Sequence, residues 1–281
     1  YKDFDVIHLH GFVLLQSLAS KSFHTVYTMH GLSKGIRKEN WFKYHLRETF
    51  KKYFLNRVNF FIANSNYTLE QAKLHYGLRL VNHKYIHNGV NLPAGVAISS
   101  INRSDQFIVG LVSRFTHRKR LDRLINAFDL FLKMGGKGKL ILVGNGTTYN
   151  EIKGLIAQKN ISQYVIMPGY SDKVFDYYAK FNICVQPTDN EGFGLVAVEA
   201  YLAGKPVLAF SDSGGLKEVI EPLEPENIVD TETELAERMM FYYHNRDKIV
   251  QCANDRINYA RKYFSIERME REYFDVYQNI M

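Results

Sequence analysis

The sequence predicts an α/β protein built as two domains, each a parallel sheet covered by helices. Three observations carry that reading. Short apolar runs that end in polar residues alternate with stretches of helical spacing, the pattern of βαβ units. The alternation is interrupted once, over residues 92–105, where the chain is small, polar and weakly periodic, and then restarts. The length of 281 residues, 46% of them hydrophobic and 23% charged, allows two ordinary domains and excludes a disordered chain.

In chain order, Asp5–His10, Thr25–Gly31 and Phe60–Ser65 read as strands with polar C-terminal ends. In parallel sheets those ends carry the ligand site, so His8, His10, His30, Asn64 and Ser65 fall where chemistry is expected. Beyond the break, strands are read at 107–112, 139–143, 164–167, 183–186 and 206–210. Helices are read at 121–133, 149–158, 172–180 and 195–203, with another starting at Leu216. The tail from Thr233 is read as largely helical. The domains expected are 1–104, 105–264, and a terminal helix over 265–281 that packs back on the first domain.

No apolar run reaches the roughly 18–20 residues of a membrane span. Cys184 and Cys252 form no disulfide framework and no zinc spacing; a reduced core thiol and a cytoplasmic setting fit. The chain opens without an initiator Met or a signal-peptide pattern, which leaves missing N-terminal sequence an expectation. The net charge of +7 is uneven: residues 1–104 hold 14 Lys and Arg against 5 Asp and Glu, and the remainder 22 against 24. An anionic partner for the first part follows. Lys34–Arg57 holds eight basic residues with Trp41, Phe42, Tyr44, Phe50, Tyr53 and Phe54 interleaved. Such a stretch either lies on an anionic membrane surface or is a solvated basic face over packed aromatics. No nucleic-acid recognition motif accompanies the charge.

The most informative segment is Pro187-Thr188-Asp189-Asn190-Glu191-Gly192-Phe193-Gly194-Leu195 through Glu199. An apolar strand ends at Gln186, and a glycine-bearing turn feeds a helix. Glycines admit close backbone approach, and the free N–H groups of a helix start favour phosphate. Glu191 and Glu199 would stand about 12 Å apart if both lay on one helix, and carboxylates accept from sugar and ribose hydroxyls. Alone, Glu191 also fits a surface position at a helix start. Glu199, among Val196, Ala197, Val198 and Ala200, calls for a buried partner or ligand.

With Gly204-Lys205-Pro206-Val207 and Gly214-Gly215-Leu216-Lys217-Glu218, this Glu-x7-Glu pattern resembles the large retaining glycosyltransferase family often called family 4. Further segments are similar in order and spacing: His87-Asn88-Gly89-Val90-Asn91, Gly110-Leu111-Val112-Ser113-Arg114 with Lys119, and Leu142-Val143-Gly144-Asn145-Gly146. The resemblance implies two Rossmann-like domains facing a cleft, the GT-B fold, with an N-terminal acceptor-side domain and a C-terminal nucleotide-sugar domain. It implies that Arg114 and Lys119 grip the donor diphosphate and that Glu199 holds the ribose. Glu191 contacts the donor sugar, backbone N–H groups of Phe193, Gly194 and Leu195 face a phosphate, and Gly192 and Gly144 line the donor site. His30 faces the donor sugar from the N-terminal domain, while His8 and His10 are read as structural.

Three positions depart from the family's pattern. Ser113 and Arg120 stand where glycines are usual, and Lys217 replaces a common Pro or Ala, which puts local loop shape in question. The family's first strand and its glycine-rich loop are absent, so the N-terminal domain is expected to be incomplete. The function implied is a retaining, metal-independent and cofactor-free hexosyltransferase. It would move a hexose or N-acetylhexosamine from a UDP-sugar to a glycan or polyprenyl-diphosphate-linked acceptor in bacterial surface-polysaccharide synthesis, at the inner face of the cytoplasmic membrane. The rival readings are a nucleotide-sugar epimerase of the same architecture and a truncated, non-catalytic nucleotide-binding module.

Overall fold

The computed structural model describes residues 4–10, 24–32, 41–79, 82–91 and 106–281. The linker expected over 92–105 lies outside them, as does the 34–40 part of the basic segment. The chain divides into two compact units, residues 1–89 with 266–281, and residues 90–265.

The first unit is a parallel sheet of β1 (Val6–Leu9), β2 (His24–Met29), β3 (Phe60–Ala63) and β4 (His83–Tyr85), in that order. Helix α1 (Trp41–Leu55) joins β2 to β3, and α2 (Asn66–Tyr76) joins β3 to β4. A parallel sheet is covered on both faces, which is why β2 is an almost continuous buried run rather than an alternating one. Tyr27 and Met29 enter a core with Leu55, Phe61, Leu69 and Tyr76. Val26 shares the opposite face with Ile62, Ile86 and Val276, the last from the C-terminal helix Ile266–Ile280. That helix is also tied by Tyr277 Oη to His8 Nδ1 at 2.6 Å and by Arg268, which donates to the His87 carbonyl. Ser65 starts α2 by accepting from the Thr68 N–H at 3.0 Å, and Gly77 ends it in the left-handed region at φ 55°.

The second unit has a six-stranded parallel sheet of β5 (Phe107–Val112), β6 (Gly138–Val143), β7 (Val165–Gly169), β8 (Ile183–Gln186), β9 (Val207–Phe210) and β10 (Ile228–Val229). Its order is β10-β9-β8-β5-β6-β7. Helices α3 (Leu121–Lys133), α4 (Tyr149–Gln158), α5 (Val174–Lys180), α6 (Leu195–Leu202) and α7 (Lys217–Ile220) connect the strands. The helical tail is broken at Asn245, Cys252 and Phe264 into α8 (Glu232–His244), α9 (Arg246–Gln251), α10 (Ala253–Tyr263) and α11, the helix Ile266–Ile280. Period-two alternation along β5 divides the core: Phe107, Val109 and Leu111 join residues of α3, α4 and α8, whereas Ile108 and Val112 face those of α6 and α10. Cys184 is a buried free thiol in the second cluster, and burial pushes it up to about 12.

Candidate active site

From the middle of the second sheet the chain runs outward in two directions. β5 leads to β6 and β7 on one side, and β8, paired with β5, leads to β9 and β10 on the other. The helices after β5 and β8 therefore pack in different core clusters, α3 in one and α6 in the other, and open parallel sheets bind ligands in the crevice beyond such strand ends. Residues 113–120 leave β5, and residues 187–194 leave β8.

The two loops are stitched together. Thr188 Oγ1 and the Asp189 N–H both donate to the Arg118 carbonyl, at 3.1 and 3.4 Å. A 3-10 turn over His117–Lys119 then directs Lys119 inward, where its Nζ donates to Glu191 Oε2 at 2.5 Å. Arg118 lies 3.5 Å from the other carboxylate oxygen, and Thr188 Oγ1 lies 3.2 Å from Oε2, which shares the single hydroxyl proton with the Arg118 carbonyl. Burial alone would raise the Glu191 pKa. The Lys119 charge and hydrogen bond, with Arg118 and Thr188, outweigh it and hold the carboxyl below its ordinary range. Glu191 is thus an ionised acceptor in the loop beyond the end of β8.

Glu191 is not on the helix, so the 12 Å spacing reckoned on helical rise does not apply. Its N–H donates to Ser213 O at 3.0 Å and its carbonyl accepts from the Gly215 N–H at 2.8 Å, a parallel bridge to the loop after β9. Asp212 in that loop is held by Arg123 Nη1 at 2.8 and 2.9 Å, and the Arg123 guanidinium lies 3.5 Å from the Phe210 ring centre. Phe193 is anchored in the core at 2% exposure, edge-on to Phe264. Gly194 caps α6 at φ 97°, where a Cβ would also meet Leu216 at 2.5 Å. The positive end of α6 thereby lies on the same loop as Glu191, with Leu195 exposed.

Glu199 lies one turn further along α6. Its Oε2 accepts from Tyr178 Oη at 3.0 Å. Burial raises its pKa, the Tyr178 bond pulls the other way, and the carboxyl stays above its ordinary range. Gly144 has a structural reason: at φ 139°, a Cβ there would lie 1.8 Å from the Ser113 carbonyl oxygen, where the loops after β5 and β6 cross. Arg114 is exposed on the β5 loop. The second cation at Glu191 is Arg118, which the sequence reading passed over although it adjoins Lys119. Thr188 and Tyr178 were passed over too. Glu218 and Lys217 are half-buried at the start of α7.

Arg120 explains one departure from the family pattern. It sits in the left-handed region at φ 45°, ψ 44°, the conformation a glycine takes without strain. That costs an L-residue about 1–2 kcal/mol, and the half-exposed fork to Asp122 at 3.0–3.3 Å returns little. Arg120→Gly is therefore expected to raise stability by about 0.5–1 kcal/mol in chemical denaturation; a loss of stability would contradict the strain argument.

In the first unit, His30 follows β2, and its Nε2 lies 3.0 Å from His10 Nδ1. Asn64 Nδ2 donates to the His30 carbonyl at 3.0 Å. His8 is gripped by Tyr277 Oη at 2.6 Å and Thr28 Oγ1 at 2.7 Å. Burial first, then the charges of His10 and His30, bring His8 down from 6.5 to about 4. His10 and His30 are lowered as well, chiefly by burial. For a base held below its unfolded value, the unfolded chain takes up the proton first. Stability is then complete above about pH 6.5 and falls as pH drops towards 4. Melting curves across that range will show the slope, and His8→Gln will flatten it; an unchanged slope would remove His8 from the account. Among the described residues, no group of three or more His, Cys, Asp or Glu is placed to hold a metal ion.

Two parallel α/β units, with a carboxylate, adjacent cations and a helix start gathered at the switch point of the second, define the class as a two-unit parallel α/β protein. The chain belongs to the family described as Glycosyl transferases group 1, whose model matches residues 98–263. A second family model, Glycosyltransferase Family 4, matches residues 1–93. A poly(ribitol-phosphate) alpha-N-acetylglucosaminyltransferase of Staphylococcus aureus is 30% identical over 154 residues, covering 53% of this chain and 28% of that protein. The capsular polysaccharide biosynthesis glycosyltransferase CapM of Staphylococcus aureus is 31% identical over 120 residues, covering 42% and 31%. The chain thus spans less than a third of the length of either relative. The fold matches a crystal structure of Anabaena Alr3699/HepE in complex with UDP and glucose, with a TM-score of 0.77–0.79 across its forms, 22–23% identity for those forms, and 98% of this chain against 78% of that one in the UDP and glucose complex.

Proposed function

We propose that the chain carries the donor site of a retaining glycosyltransferase that transfers a hexose or N-acetylhexosamine from a UDP-sugar to a surface glycan or its lipid-linked precursor. The observation that carries this reading is the Lys119–Glu191 contact beside the α6 start. It puts a cation for a leaving phosphate next to an ionised acceptor for sugar hydroxyls. Lysine has three N–H donors, so Lys119 can keep Glu191 and still reach a phosphate oxygen. As the glycosidic bond to the diphosphate breaks, negative charge grows on the phosphate. Lys119, Arg114 and the α6 N–H groups stabilise that charge, without a divalent metal. Front-face attack through an oxocarbenium-like state lets the leaving phosphate oxygen take the acceptor's proton. Glu191 orients the sugar, Glu199 holds the ribose, and His30 bonds to the sugar. The N-acetylglucosaminyl transfer named for the Staphylococcus aureus relative and the UDP in the Anabaena structure support the choice of donor.

Thermal shift with UDP, GDP and ADP, followed by product analysis with and without a glycan acceptor and with EDTA, tests the proposal. Stabilisation by UDP and EDTA-resistant transfer with retained configuration are expected. GDP or ADP preference would replace the base, and sugar isomerisation without acceptor would replace transfer by epimerisation.

The acceptor side of the proposal rests on α1. Leu46, Phe50 and Tyr53 form an exposed stripe at i, i+4 and i+7, beside exposed Arg47, Lys52 and Arg57. A stripe of that kind suits the surface of an anionic bilayer. No helix among the described residues is long and apolar enough to cross a membrane. Sedimentation with phosphatidylglycerol vesicles, lost in high salt or on Phe50→Ser, is the result expected; equal binding to neutral vesicles would remove the electrostatic part.

A further inference from the structure

His10 reads from the sequence as structural, yet it is the group that touches the ring of His30. The two imidazoles lie edge to edge and near-parallel, with centroids 5.3 Å apart and planes at 16°, and share the 3.0 Å contact between His10 Nδ1 and His30 Nε2. His10 in turn lies against His8 at 4.1 Å. His8 is fixed from both of its nitrogens, by Thr28 on β2 and Tyr277 on α11. On the other side, Asn64 at the end of β3 ties the His30 carbonyl. His30 itself remains exposed, so its backbone and one ring nitrogen are held while the rest of the ring meets solvent.

We infer that His10 is a positioning residue for His30: by occupying Nε2, it fixes the imidazole orientation so that Nδ1 is the nitrogen offered to the donor. The inference rests on the reading that His30 contacts the donor sugar. Two imidazoles joined through one hydrogen bond carry a single proton between the facing nitrogens. Once His10 settles Nε2, the proton state of Nδ1 follows for a neutral ring. Without His10 the ring can rotate, and a group that must meet the reacting sugar in one orientation loses that alignment.

Steady-state kinetics with UDP-N-acetylglucosamine and UDP-glucose, on wild type and on His10→Ala, His10→Asn and His30→Ala, test this. His10→Ala is expected to lower kcat about 10- to 100-fold with donor KM within about threefold. His10→Asn places an amide where Nδ1 stood and can donate or accept, so it is expected to recover most of the loss. In the unliganded wild type, long-range 1H–15N spectra are expected to show one protonated and one bare nitrogen at the shared contact. An inactive His30→Ala beside a fully active His10→Ala overturns the positioning role. Full activity in both overturns the reading of His30 and the inference with it. Facing nitrogens that are both protonated or both bare overturn the pairing itself, whether or not either donor is turned over. If His10→Ala does not fold, His10→Asn decides: near wild-type kcat supports the role, and a loss equal to that of His30→Ala overturns it.

Discussion

Lys119→Ala lowers turnover by about 10²–10³-fold, and melts only slightly below wild type. The turnover loss is that of removing one preorganised charge from where negative charge develops, about 3–4 kcal/mol in the transition state. The small stability loss follows from what remains around Glu191. Its side chain is 16% exposed, Thr188 still donates to it, and Arg118 stands 3.5 Å away. The orphaned carboxylate therefore costs about 1–2 kcal/mol. It also changes its titration. Lys119 is the largest of the influences that hold Glu191 low against burial, so in the variant the Glu191 pKa rises. Glu191→Ala gives the complementary result: turnover falls for want of sugar orientation, and Lys119 relaxes into water, since it is already 19% exposed. Paired kcat and melting measurements separate chemistry from folding. A Lys119→Ala enzyme within about threefold of wild type would remove Lys119 from the leaving-group site.

What sequence could and could not supply divides along physical lines. Phe107–Val112, Leu121–Lys133 and Ile183–Gln186 were legible because period and breakers are local properties. The structure returns those bounds. The helix start after Gly194 was legible for the same reason. The turn that holds Glu191 was legible, but its constraint was not, because that is a bridge to Gly214, 23 residues on and one strand over. Arg114, Arg118, Lys119 and Arg120 are four cations within seven residues. Their order does not say which one a 3-10 turn will aim at the carboxylate. The Tyr178–Glu199 bond joins two helices on either side of β8, and such pairs exist only once the strand order is known. The His10 contact was not legible because its partner follows the next strand, two residues beyond the position that the β1–β2 register sets opposite it.

Arg256→Leu is expected to be the most damaging single change to the fold, at about 3–5 kcal/mol. Arg256 on α10 is 2% exposed. Its Nε and Nη2 reach Glu224 at 2.8 and 2.7 Å, and its Nη1 donates to the carbonyls of Gly204 and Ile249 at 3.2 and 2.9 Å. Glu224 is buried too and accepts from Tyr201 Oη at 3.0 Å and Asn227 Nδ2 at 3.1 Å. Asn227 continues the network by accepting from Arg238 and Tyr242. Removing the arginine leaves a carboxylate with two neutral donors and no countercharge, together with two orphaned carbonyls, and that asymmetry sets the magnitude. For a unit of about 150–250 residues, such a loss lowers the melting temperature by roughly 6–20 °C. The penalty belongs to the uncompensated charge, so it is not additive. Glu224→Leu with Arg256→Leu is expected to recover at least half of it, and comparison of the single and double variants by chemical denaturation measures the recovery. A double variant as unstable as the sum of its singles would mean that the network acts through packing rather than charge. The folded fraction of Arg256→Leu is expected to keep the nucleotide affinity of wild type, because the Glu191 loop is held by Lys119, Ser213 and Gly215, none of which depends on Arg256.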